Sequence, residues 1–167
     1  MIATDFPVPV AIVLHMPIGF TDIYARRLGS ESALAVSEAR SGDEVRPGSV
    51  LIAPAGHHLL LARNGSGGVH ARLDQRPLDT PHRPSVDVLF RSAAEVYGER
   101  VLGVVMTGMG ADGREGSAWI KAAGGTVITE SEESCVVYGM PRSVVEAGLS
   151  DASVTLERMA QAIVERL

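Results

Sequence analysis

The chain has 167 residues, a formal charge of −5, 46% hydrophobic residues and one cysteine, Cys135. That balance suits one compact domain and excludes a basic nucleic-acid surface, an intramolecular disulfide framework and a cysteine-based zinc site. No apolar run nears the ~20 residues of a membrane helix, and MIATDF lacks a secretory signal's features, so the sequence reads as soluble and cytoplasmic, without membrane insertion.

In chain order, Pro9 to Leu14 is apolar throughout, as expected of a strand covered on both faces, and ends at His15. Phe20 to Leu28 follows with Phe20, Ile23, Tyr24 and Leu28 on one helical face. Val50 to Ala53 is a second buried strand, stopped by Pro54-Ala55-Gly56. His58 to Ala62 and Val69 to Leu73 flank Asn64-Gly65-Ser66-Gly67-Gly68, the pattern of a β-hairpin. Ser85 to Tyr97 places Val86, Leu89, Phe90, Ala93, Ala94 and Tyr97 on one side of a helix, with Pro84 near its first turn. Val101 to Met106 is the clearest buried strand, Gly113 to Ala123 the helix after it, and Thr126 to Thr129 the shortest strand. Pro141 to Ala147 and Leu156 to Leu167 complete the helices. This alternation predicts an α/β fold, a largely parallel sheet flanked by helices in three Rossmann-like layers, with a β-hairpin insertion and a single domain over residues 1–167.

In such sheets, functional groups collect in loops at the carboxyl ends of strands. His15 and Asp112 both have that address. Singly, His15 reads as a structural imidazole and Asp112 as a helix cap or turn residue. Together they suggest the His–Asp half of a hydrolase, in which the acid fixes the imidazole tautomer. Gly108 and Gly110 let the chain turn tightly, so the Met109 amide could face a developing oxyanion. Thr107 to Gly113 lacks the lysine and hydroxyl ending of a phosphate loop. His57 and His58 diverge if they lie on a strand, which disfavours a shared metal ion. His82 to Asp87 reads as a loop entering a helix, with a pocket lining as the other reading. Ser134 and Cys135 are candidate nucleophiles beside a histidine, although a lone cysteine more often packs as a small buried core residue.

These segments, in this order, resemble the catalytic domain of the chemotaxis protein-glutamate methylesterases, the CheB family. The resemblance rests on His15-Met16-Pro17 with Gly19-Phe20-Thr21, Arg46-Pro47-Gly48, Ile52-Ala53-Pro54, His82 to Asp87, Thr107 to Gly110 with Asp112-Gly113, and Glu133 to Arg142. It implies a serine esterase that hydrolyses glutamyl methyl esters on the cytoplasmic helices of methylated chemoreceptors, and in some members also deamidates glutamines, with no cofactor or metal. Carried over by position, it implies His15 as general base, Asp112 as its orienting carboxylate and Met109 at the oxyanion. The family's serine lies in a Gly-x-Ser-x-Gly-Gly turn after a first strand, and MIATDFPVPVAIVL, ahead of His15, holds no serine or glycine. The expectation is therefore a domain shortened at its N-terminus, without the family's first strand or receiver domain, and weakly active or inactive as given. Three readings compete: a methylesterase domain whose true start lies upstream and supplies the serine, a catalytically dead relative that binds a receptor or partner, and, outside the family, a hydrolase using Cys135 or Ser134 with His15. A homo-oligomer covering the gap is a further expectation.

Overall fold

The computed structural model describes residues 6–167; MIATD, the start of the segments read above for a signal and for a serine turn, lies outside them. The chain forms two compact units, Met1–Leu89 and Phe90–Leu167. Among the described residues, no helix is long and apolar enough to cross a membrane.

The first unit holds β1 (Val10–Ile12), α1 (Phe20–Glu31), β2 (Ala35–Glu38), β3 (Ser49–Ile52), β4 (His58–Arg63) and β5 (Val69–Asp74). Its parallel sheet has the order β1-β3-β2, with Val10 opposite Val50 and Ile12 opposite Ile52. The central strand β3 is buried along its whole length, which explains the apolar run from Val50 that it carries. β4 and β5 form the expected antiparallel hairpin, from His58 opposite Asp74 to Arg63 opposite Val69. Strand β2, at the edge of the parallel sheet, was not expected: its Ala-Val-Ser-Glu alternates exposed and half-buried residues and has no apolar run.

Helix α1 forms where expected but turns a different face inward. Thr21 and Ala25 are its buried residues, while Phe20, Ile23 and Tyr24 stay exposed. Polar bonding and close approach outweigh the apolar stripe here. The Thr21 hydroxyl donates to Glu38 Oε1 at 2.5 Å and accepts the Ala55 amide at 3.2 Å, tying the first turn of α1 to β2 and to the loop after β3. Farther along, Gly29 brings α1 so close to β2 that a methyl group there would touch Val36.

The second helix, α2 (Val86–Tyr97), begins in the first unit and continues into the second. Beyond it come a 3-10 turn (Gly98–Arg100), β6 (Leu102–Val105), α3 (Arg114–Ala122), β7 (Thr126–Glu130), α4 (Met140–Glu146), β8 (Ala152–Val154) and α5 (Leu156–Val164). These strands make a parallel sheet of order β6-β7-β8. Ile128 at its centre is fully buried against Met159 and Ala162 of α5. Two parallel sheets flanked by helices, plus a hairpin, make this the expected α/β fold.

Asp151, just before β8, closes the second sheet electrostatically. Its carboxylate accepts the Val127 amide at 2.8 Å and Lys121 Nζ of α3 at 2.5 Å. Burial pushes its pKa up, but the Lys121 bond, the Val127 amide and the Lys121 charge outweigh burial and hold it below the ordinary value. A depressed carboxyl stabilises the fold above the unfolded-state pKa, and this contribution disappears as pH falls through the lowered folded value. Asp151→Asn keeps an acceptor for Val127 but loses the charge. With both partners partly solvated, a cost of about 0.5–1 kcal/mol is expected at pH 7. Urea unfolding should show this gap narrowing as pH falls below about 4.

Candidate functional site

Each unit carries one loop cluster with chemical potential. In the first, β1 stops at Ile12 and the chain runs on to His15, an exposed residue. A tight turn follows, in which the Met16 amide donates to Leu14 O at 3.0 Å and the Phe20 amide to Pro17 O at 3.2 Å. Gly19, at the N-cap of α1 with φ +90°, makes the reversal into the helix. The Thr21 bonds fix that helix start, so His15 sits on a loop braced at both ends.

The structure brings His82 to His15. Their rings stack with centroids 4.4 Å apart and planes 24° from parallel. The His82 loop is pinned by His58, which is fully buried: the Ser85 amide donates to His58 Nδ1 at 3.2 Å, and His58 Nε2 lies 3.1 Å from Pro77 O and 3.2 Å from Thr80 Oγ1. An amide donor requires an unprotonated Nδ1 and a carbonyl can only accept, so the neutral ring carries its proton on Nε2. His57 precedes β4 and is half-buried, while His58 begins the strand and is buried. Sequence reasoning singled out both the His15 and the His82 segments but had no signal for their contact, because no periodicity links two distant loops.

In the second unit the loop after β6 carries Thr107 to Gly113. Gly113, with φ +96°, occupies the N-cap of α3, so Asp112 lies one residue before the cap rather than at it. Asp112 is 8% exposed, whereas Met109 at the loop tip is 80% exposed. The loop is laced to the segment before α4. The Thr107 hydroxyl accepts the Val137 amide at 2.8 Å, the Gly108 amide donates to Val137 O at 3.0 Å, and Gly108 O accepts the amides of Gly139 and Met140 at 3.1 and 2.8 Å.

Glu130, 1% exposed at the end of β7, anchors the same loop from below. One carboxylate oxygen accepts the Thr107 amide and the other the Ser134 hydroxyl, both at 2.9 Å. Ser134 Oγ also accepts the Leu156 amide at 3.0 Å, so this hydroxyl serves as a structural link. Cys135 is half-buried rather than the buried core residue its type suggests. Burial, then the charges of Glu130 and Glu132, push its thiol pKa up. A thiol held protonated at neutral pH is a poor nucleophile. Glu130 was not anticipated; its trace in the sequence is an acid directly after the strand residues Thr126 to Thr129. Among the described residues, no three His, Cys, Asp or Glu side chains stand together as a metal site.

Comparison with known proteins places these features in a family. The family model described as CheB methylesterase matches residues 1–163. The chain is 57% identical over 155 residues to the protein-glutamate methylesterase/protein-glutamine glutaminase 5 of Myxococcus xanthus, covering 93% of this chain and 44% of that protein. It is 48% identical over 161 residues to the corresponding protein 3 of Geobacter sulfurreducens, covering 96% of this chain and 43% of the relative. Among solved structures, the catalytic domain of the Thermotoga maritima CheB methylesterase matches with a TM-score of 0.94 at 43% identity, covering 98% of this chain and 86% of that one. The chain spans less than half the length of these curated relatives.

Proposed function

The chain belongs to the CheB methylesterase family, and from that premise we propose that it is a single catalytic domain hydrolysing glutamyl methyl esters, and glutamine amides, on the cytoplasmic helices of chemoreceptors. The observation that carries this is the 57% identity over nearly the whole chain to a relative named for both activities. Residue by residue, His15 is the general base, Asp112 its orienting carboxylate and the Met109 amide an oxyanion donor. A serine hydroxyl, losing its proton to His15, attacks the ester carbonyl, and the tetrahedral oxyanion is held by amide donors. Collapse breaks the bond to the methoxy group, which leaves as methanol with the proton from His15. Water then attacks the acyl-serine, His15 again taking a proton, and glutamate is released. For a glutamine the leaving group is ammonia.

These 167 residues contain no Gly-x-Ser-x-Gly-Gly turn. As a separate polypeptide they are expected to release methanol slowly, at most about 10³–10⁴-fold over water, the residue of catalysis left to stripped triad enzymes. The test is a chimera in which the catalytic-domain segment preceding the match in the Myxococcus relative is fused ahead of residue 1. Methanol release from a methylated receptor fragment should rise sharply in the chimera, with Cys135→Ala unchanged. Rapid turnover by the 167 residues alone, abolished by Cys135→Ala, would replace this reading with a thiol hydrolase. A folded chimera that binds receptor without releasing methanol would leave a binding module instead.

A further inference from the structure

We infer that His82 is a positioning residue for His15, holding the imidazole plane of the base by ring stacking; this rests on the assignment of His15 proposed above. An exposed histidine on a loop has rotamers to lose before it can work as a base, and a base is useful only when its nitrogens point correctly. Both nitrogens lie at the ring edge. In the triad proposed above Asp112 takes one of them and the serine the other, and a face contact restrains the plane without competing for either. The His82 ring makes that contact, stacked at 4.4 Å and 24°, at the close end of aromatic stacking.

The restraint is useful only if His82 is itself held, and its loop is fastened on both sides. Arg83 O accepts the Gly56 amide at 3.0 Å, and the Arg83 guanidinium donates to Leu78 O at 3.4 Å. Next to them, buried His58 takes the Ser85 amide and bonds Pro77 O, so it spans the loop from one end to the other. His58 thus braces the loop, the loop presents His82, and His82 sets the plane of His15.

Two measurements test this. In the 167-residue protein, the His15 ring protons in an NMR spectrum should be shifted upfield by the neighbouring ring in wild type and in His82→Phe. They should move downfield in His82→Ala and in His82→Gln, which fills the space without a ring. In the chimera, His82→Ala should lower kcat about 10- to 100-fold with little change in KM, the scale of a displaced catalytic group, and His82→Phe should restore most of the rate. Unchanged His15 ring signals in both ringless variants would overturn the stack. An unchanged kcat in His82→Ala, beside a chimera killed by His15→Gln, would overturn the positioning role alone. Should His15→Gln itself leave turnover intact, the assignment of the base falls and this inference with it.

Discussion

Asp112→Asn is expected to lower methanol release by the chimera about 10⁴-fold while leaving the amide spectrum of the protein nearly unchanged. The substitution keeps size and shape at a position that is 8% exposed, so packing has little to lose. What changes is charge. A carboxylate accepts the imidazole N–H and stabilises the imidazolium that forms when the base takes the serine proton. An asparagine amide can instead offer its own N–H, favouring the opposite tautomer and giving the positive ring no counter-charge. His15→Gln, which removes the base itself, should cost more, on the order of 10⁶-fold if the residues act as a unit, and the double variant should be no worse than His15→Gln. Additive losses, or a loss in Asp112→Asn traceable to unfolding, would count against the pairing.

Gly139→Ala is expected to damage both stability and turnover, although the residue lies outside the reacting groups. Gly139 has φ −100° and ψ −66°, so alanine meets no left-handed strain there. The obstacle is steric: the new Cβ would lie 2.7 Å from Gly108 O, 3.0 Å from Gly110 N and 3.2 Å from Met109 Cα. All three are backbone atoms, which cannot rotate aside as a side chain does. The loop must move off α4, stretching the two bonds that Gly108 O accepts from Gly139 and Met140. A stability loss of about 1–3 kcal/mol is expected, typical of overpacking. The Met109 amide moves with the loop, so kcat in the chimera should fall about 10²-fold. Gly65→Ala is the control, because a methyl group there meets open space. Comparable urea midpoints and rates for the two variants would show that the loop does not depend on this contact.

Much of the fold was legible in the residues because its signals are local. Val50 to Ala53 and Val101 to Met106 are unbroken apolar runs, and both correspond to strands of parallel sheets. The glycine-rich turn between His58 and Leu73 named the hairpin, and Pro84 marked the approach to α2. Strands β2 and β8 escaped because they are short and lack an apolar run from which a period could be read. The inward face of α1 escaped for the opposite reason. Its apolar stripe was plain, but the helix is docked by the bonds of Thr21 and by small residues, which no hydropathy pattern records.

By itself the sequence determined the alternation of strands and helices, the resemblance to the CheB methylesterases and the placing of His15 and Asp112 in loops after strands. Each follows from neighbours in the chain, through periodicity, turn chemistry and motif order. Only the tertiary structure decided that His82 covers His15, that buried Glu130 carries the Thr107 loop and that Gly139 must lack a side chain. Those are contacts between residues remote in sequence. Burial and hydrogen bonding select them, and both depend on what folding brings together in space.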